Sequence, residues 1–429
     1  MKKIINLFLL SNRARNYLCI SIIFFLGLFS VSWFKGDNLL TLGDFYFPIN
    51  RSQYLSNFFY SWSNSSAGMP QFISVANIFP YGIFLLITEK LSISIITSEK
   101  IWFFLQFVSM GLSMFFLISV LLKNKTTNKN SIALIGAILF MFNPWLAVNV
   151  SFLNSYIVYG PLILGLYIKG LQEKKGFGFA ILFSLIWLIT SDSALINLRS
   201  FILQLILLLI YFAFFIITEK EKRKSAIIFS TYILAIFFFL SFYVVLPIVF
   251  YLFEIIGRTS DVYKSIDASW SGTFVQSSIK ITNVWRLIGV WSFYESYKDV
   301  PYYYFNYLYK STIFIFISYI LTLLIYFPFT RLRKYSDKIK KGLIFLAILF
   351  IFGTFIMIGN NNIISAFLAN HFKFYSMLFS IPYLFGGFFL IIGYCILFAF
   401  GFIEVLNTIK KKIFKYILSF LTILLVIIY

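Results

Sequence analysis

Acidic residues are scarce in this chain: 15 Asp and Glu stand among 429 residues, against 36 Lys and Arg. Charge of either sign amounts to 12% of the sequence, about half the usual globular share. Histidine occurs once and cysteine twice. Cys19 and Cys395 fall inside apolar runs, which favours packing over a disulfide, and no metal-ligand spacing surrounds them. Phosphate-cradling glycine loops and Ser/His/Asp constellations are missing, which sets a soluble-nucleotide enzyme aside. The short alternating segments of a β-barrel are absent as well.

What the chain has is apolar length. It is 60% hydrophobic with a mean hydropathy of +0.89, more apolar surface than a soluble fold of this size can hide. Runs of roughly 20 apolar residues recur, each long enough to cross a hydrocarbon core about 30 Å thick. Lipid offers the backbone no partners, so such runs must be helical. The sequence therefore predicts an all-α polytopic membrane protein: a single transmembrane domain over 1–429 with about 11 transmembrane helices. The expected spans are Asn16–Phe34, Ile101–Leu122, Ser131–Val148, Val150–Ile168, Phe177–Thr190, Phe201–Thr218, Ser225–Leu252, Ser311–Phe329, Gly342–Ile358, Phe374–Phe402 and Ile413–Tyr429. The first run is long for a signal peptide and no small-residue cleavage site follows it, so it reads as a retained span.

The net charge of +21 has an explanation other than nucleic acid. Basic residues cluster between the apolar runs: Lys2 to Arg15, Lys123 to Lys129, Lys169 to Lys175, Lys220 to Lys224, Arg331 to Lys341 and Lys410 to Lys415. Placing all six clusters in the cytoplasm gathers 24 of the 36 basic residues there, for about +19 inside and +2 outside. The protein is then a multi-pass plasma-membrane protein with a cytoplasmic N-terminus and an extracytoplasmic C-terminus. Two long loops face outward, 35–100 and 253–310, with shorter ones at 191–200 and 359–373. Segment 72–97, interrupted by Pro80, Glu89 and Lys90, is a re-entrant or interfacial hairpin, or else two short crossings giving 13 spans.

Chemistry-capable residues gather in those loops. Asp37 and Asp44 lie just past the first span, and Asp44 sits among aromatics in Gly43-Asp-Phe-Tyr-Phe-Pro48. Such surroundings disfavour the carboxylate charge and suit a general base; the plainer alternative is a capping Asp for a helix running through Arg51–Trp62. The second loop carries Arg258, Asp261, Asp267 and Trp270, then Trp285, Arg286, Trp291, Glu295, Asp299 and Tyr302 to Tyr304. Aromatics at that density form a headgroup belt, while aromatic faces beside charged groups also suit sugars and phosphates. Arg199 and Lys373 can pair with a lipid phosphate or simply snorkel at a helix end. His371 has no ligand partner at useful spacing and reads as a polar loop residue. Asn64-Ser-Ser66 matches a glycosylation triplet, a pattern common by chance.

Together, Gly43 to Pro48, Trp62 to Pro70, Asn143-Pro-Trp145, Asn283 to Trp291 with Tyr302 to Tyr304, and Phe372-Lys-Phe374 resemble stretches of the GT-C superfamily of polytopic glycosyltransferases. The likeness is to its YfhO-like and arabinofuranosyltransferase-like members. It implies an enzyme that moves a sugar from a polyprenyl-phosphate donor to an outer-surface glycan, lipid or protein. Asp44 would map onto the general base of the first outward loop, and Arg286, Lys373 and Arg199 would stabilise the leaving lipid phosphate. Asp37, Trp285, Trp291, Glu295 and Tyr303 are the accompanying substrate-side candidates. Asp37 and Asp44 form no tight Asp-x-Asp pair, so the sequence gives no indication of a metal, although a divalent ion stays open. Relatives often carry an outer C-terminal domain beyond the last span. Two other classes stay open: a lipid or polysaccharide flippase or transporter, and an oligosaccharide polymerase or ligase. The oligomeric state is not encoded legibly.

Overall fold

A computed structural model describes residues 12–40, 47–58, 62–63, 69–70, 78, 80–122, 129–149, 155–196, 198–258 and 280–428. Helices dominate it. Eight of them are long and apolar enough to cross a membrane: Arg13–Trp33, Ile95–Leu121, Lys129–Val148, Phe201–Thr218, Lys220–Tyr243, Thr312–Thr330, Asp337–Asn361 and Pro382–Thr408. Shorter apolar helices cover Phe177–Thr190 and Ile413–Thr422. Large apolar side chains face outward along these helices, among them Phe25, Phe239, Leu323 and Ile351, each at least 65% exposed. Water would penalise that arrangement; lipid tails accept it.

In chain order the helices are α1 (Asn12–Gly27), α2 (Arg51–Phe58), α3 (Tyr81–Lys90), α4 (Ile95–Leu121), α5 (Lys129–Met141), α6 (Pro144–Val148), α7 (Ser155–Gln172), α8 (Phe177–Ile196), α9 (Leu198–Thr218), α10 (Arg223–Arg258), α11 (Ile281–Trp285), α12 (Asn306–Lys310), α13 (Thr312–Thr330), α14 (Asp337–Ile358), α15 (Ile363–His371), α16 (Lys373–Leu378), α17 (Pro382–Thr408) and α18 (Lys412–Ile428). Two minimal hairpins pair β1 (Trp62–Ser63) with β2 (Met69–Pro70), and β3 (Ser296–Tyr297) with β4 (Val300–Pro301), both antiparallel. The chain divides into two interleaved units. One comprises Met1–Leu26, Met110–Val150 and Ala268–Tyr429; the other comprises Gly27–Ser109 and Ser151–Asp267.

The first unit is built on α17, whose side chains are buried along most of its length. It packs on α13, α14 and α5. Small residues allow the close approach. A Cβ on Gly353 would lie 2.3 Å from the backbone N of Leu390, and one on Gly401 would lie 1.8 Å from the carbonyl O of Leu324. Gly401→Ala therefore forces α13 and α17 apart, an overpacking cost of about 1–3 kcal/mol. Gly342→Ala, with nothing within 4 Å, serves as the neutral control when thermal unfolding of both variants is compared in detergent. Helix α18 is inverted relative to a water-soluble amphipathic helix. Thr422 is buried, and Ile413, Phe414, Ile417 and Phe420 on the other side are each more than half exposed.

Several boundaries differ from those expected, each for a local reason. The span expected over Ser131–Val148 is present as Lys129–Val148 but interrupted after Met141, because Asn143 caps a new helical turn with Pro144 at its start. The Asn143 side chain accepts from the Leu146 N–H at 2.9 Å and donates to the carbonyls of Leu139 and Phe140. Likewise Pro382 opens α17, so the expected Phe374–Phe402 run is split between α16 and α17. Conversely, the expected outward loop at 191–200 is mostly helical: α8 continues to Ile196 and α9 begins at Leu198. That stretch contains neither Gly nor Pro to stop a helix. The 359–373 loop likewise contains α15.

In the second unit, α8 packs on α7 and α10. Trp187 of α8 is fully buried, donates to Gln204 Oε1 at 2.8 Å and lies against the rings of Phe201 and Phe237. Tyr167 and Ser230 share a 2.7 Å hydrogen bond. Both cysteines are free and buried.

Candidate functional site

In the first unit the segment before α13 folds over that helix's first turns. Helix α11 ends at Arg286, and Leu287 adopts a left-handed φ of 60° that turns the chain back. The β3–β4 hairpin closes through Lys298 and Asp299, both with positive φ (47° and 65°), the twist that two-residue hairpin turns require. Short helix α12 then leads into α13, which Ser311 caps by accepting from the Phe314 N–H.

Arg286 pins this segment. It is 6% exposed. Its Nε donates to Ser318 Oγ at 2.6 Å and its Nη2 to the Tyr309 carbonyl at 2.7 Å. Ser318 can accept because its own hydroxyl hydrogen goes to the Ile315 carbonyl. The guanidinium also lies 5.8 Å from the Tyr319 ring centre. Beside it opens a cavity of about 150 Å³ lined by Asn283, Arg286, Tyr294, Asn306 and Lys310 with Ile288, Phe293, Tyr309 and Ile315. The Tyr294 hydroxyl is buried there without a hydrogen-bond partner among the described residues. Burial pushes that hydroxyl's pKa well up, while Arg286 pulls it down less strongly, so it stays an O–H donor at any physiological pH. Lys310 Nζ lies 5.8 Å from the Tyr294 ring centre. Two cations, two amides and a spare hydroxyl suit an anion's oxygens.

Of the residues nominated from sequence, Arg286 lines this cavity. Trp285, Trp291, Glu295 and Tyr303 do not. Trp291 donates to the Tyr383 hydroxyl at 3.0 Å and stacks edge-on with Tyr302, and the Trp285 carbonyl accepts from Thr322. Tyr303 packs on Phe293 and Tyr309, and burial raises the pKa of its hydroxyl. The Glu295 backbone carbonyl accepts from the Tyr302 N–H. Sequence reasoning missed Tyr294, Lys310, Asn283 and Asn306. No local spacing signals them, because they come from segments that meet only in the fold.

The second unit holds the first loop. Asp37 lies in the turn after α1. Asp44 lies outside the described residues, as do Asp261, Asp267, Trp270 and Asn64-Ser-Ser66. The described residues on either side of 41–46 are tied down. The Leu40 N–H donates to Glu99 Oε2 at 3.0 Å, and Phe47 is buried against the Tyr81 ring. Arg51 donates to Thr88 Oγ1, Ser98 Oγ and the Ile93 carbonyl. Ser52 donates to Glu89, and Lys100 reaches the Gly36 carbonyl at 3.4 Å. The alternative of Asp44 as helix cap is corrected here. Asn50 caps α2 by accepting from the Gln53 N–H, and α2 is described over Arg51–Phe58, with Trp62 in β1.

Helix α4 begins at Ile95, six residues before the expected Ile101, because Ser94 accepts from the Thr97 N–H and caps it. Glu99 and Lys100 are thereby helical, and Glu99 is fully buried. Its second oxygen has no hydrogen-bond partner among the described residues. Arg199 stands in the first turn of α9, in this second unit. Lys373 opens α16 in the first. His371 is exposed, stacks on Phe367 and contacts its carbonyl through Nδ1. Among the described residues no group of three or more His, Cys, Asp or Glu is placed to hold a metal. Comparison with protein-family models, curated proteins and solved structures returns no match.

Proposed function

We propose that this protein is a membrane glycosyltransferase of GT-C type, taking a sugar from a polyprenyl-phosphate donor to an outer-surface acceptor. The observation that supports this best is the Arg286–Tyr294–Lys310 cavity at the start of an apolar helix, where a lipid's phosphate would lie while its chain stays in the bilayer. In this reading 11 spans cross the plasma membrane, the N-terminus is cytoplasmic, and loops 35–100 and 253–310 face outward. Helix α3, ten residues long and so about 15 Å, re-enters without crossing.

In the transfer, the acceptor hydroxyl attacks the anomeric carbon. Its C–O bond to the sugar forms as the bond to the lipid phosphate breaks, and Asp44 takes the hydroxyl proton. Arg286, Lys310 and the Tyr294 hydroxyl stabilise the phosphate charge as it grows. Lys373 and Arg199 remain further phosphate candidates, with Asp37, Trp285, Trp291, Glu295 and Tyr303 on the sugar side.

The test is binding of polyprenyl phosphate to the purified full chain. Tyr294→Phe removes an unpaired hydroxyl, so thermal stability is expected to hold, whereas affinity should fall roughly tenfold through the lost hydrogen bond to a charged group. Equal affinity in wild type and variant would remove the phosphate from this cavity.

One observation favours the transporter class. An ionisable side chain buried within a candidate span marks a transport or relay site by default, and Glu99 is one. Farther along α4, Gln106 and Ser109 hydrogen-bond to Tyr159 of α7. Glu99→Gln abolishing flux of a lipid-linked sugar, with sugar transfer to acceptor never detected, would select that reading.

A further inference from the structure

We propose that the end of the first unit opposite the Arg286 cavity is a docking surface for anionic lipid headgroups. Helix α13 ends at Thr330 and α14 begins at Asp337; α17 ends at Thr408 and α18 begins at Lys412. The ends of α13 and α17 adjoin, because Arg331 Nη1, just past α13, forms a 3.3 Å ion pair with Glu404 Oε2 near the end of α17. Ten basic residues lie in 331–341 and 404–415, against two acids, Asp337 and Glu404.

Both acids are already engaged. Glu404 holds Arg331, and Asp337 holds Lys340 at 3.1 Å. Arg333, Lys334, Lys338, Lys410 and Lys411 are exposed, and no carboxylate among the described residues pairs with them. Their charge is therefore open to an anion from outside this unit.

The depth of the cluster says from where. The exposed apolar flanks of the same helices reach almost to these cations: Tyr326 on α13, Ile344 on α14, and Ile413 and Phe414 on α18 are each at least 40% exposed. Lys411 Nζ lies 5.9 Å from the Phe414 ring centre, a cation beside an exposed aromatic, as at the boundary between headgroups and acyl chains. A surface with lipid-facing side chains immediately beneath it and unpaired cations on top matches phosphodiester headgroups of net negative charge. The Arg331–Glu404 pair fixes its shape and leaves the other cations to the lipid. This inference does not depend on the glycosyltransferase reading, because it concerns the other end of the helices.

The experiment reconstitutes the purified full chain in nanodiscs of mixed phosphatidylglycerol and phosphatidylcholine and measures which lipid is retained around it. Wild type should enrich phosphatidylglycerol, and added salt should erode the preference. A variant carrying Arg333→Gln, Lys334→Gln, Lys338→Gln, Lys410→Gln and Lys411→Gln should lose at least tenfold of it, since each cation near such a surface contributes roughly fivefold. The salt titration on wild type stands even where the five-fold variant folds poorly. No enrichment in wild type, enrichment indifferent to salt, or the same enrichment in the variant would overturn the proposal. So would cations satisfied by an acidic protein while lipid preference is absent.

Discussion

Asp44→Asn is expected to lower sugar transfer by between about 10²- and 10⁴-fold, the usual contribution of a positioned general base. The amide matches the carboxylate in shape but cannot take the acceptor's proton, so donor binding should persist while turnover falls. The measurement is transfer of labelled sugar from a polyprenyl-phosphate donor in membranes containing the full chain, with donor retention assayed alongside. Asp37→Asn, in the turn after α1, is expected to change turnover far less. Glu99 and Tyr81 tie the chain at Leu40 and Phe47, so a lost proton acceptor, and not a lost loop, should dominate the effect. Transfer that survives Asp44→Asn would show that the base lies elsewhere. If the essential residues in the same assay clustered on Arg258 and Arg286 with Asp44 dispensable, the polymerase or ligase class would gain.

Arg286→Gln carries the second large effect, and it acts on stability and binding together. The guanidinium ties the end of α11 to α13 through Ser318 and to α12 through the Tyr309 carbonyl. Losing that bridge strands a buried carbonyl, a cost of about 3 kcal/mol when a charged donor is removed from two acceptors. Arg286→Lys should recover little of this, because one ammonium cannot reproduce the fork. Polyprenyl-phosphate affinity should fall with it. Lys310→Gln separates the two roles: Lys310 is exposed and lines the cavity, so its loss should weaken lipid-phosphate binding while thermal unfolding barely moves. Unchanged affinity in Lys310→Gln, together with an unstable Arg286→Gln, would make Arg286 a structural pin only.

Much of the helical architecture is written locally. Long apolar runs leave the backbone no partner but itself, so the helices at Phe201–Thr218 and Thr312–Thr330 lie where hydropathy places them. Where prediction slipped, short-range chemistry decided: Asn143-Pro144 cut one run, Pro382 cut another, and Ser94 started α4 early. Each of those signals is present in the sequence but competes with hydropathy, which averages over a whole window and so smooths single caps away.

The cavity is a different case. Arg286 stood out as a charge among aromatics, yet two of its donors are held by Ser318 and Tyr309, 32 and 23 residues away. Tyr294 looked like one more belt aromatic until burial left its hydroxyl without a partner. Glu99 looked like a loop charge beside Lys100 until the chain at Leu40 covered it. Composition and periodicity therefore settled that the chain is helical and apolar enough for a bilayer, because those properties belong to contiguous residues. Which polar groups are buried, paired or left over depended on side chains from distant segments meeting, and desolvation acts only once they have met.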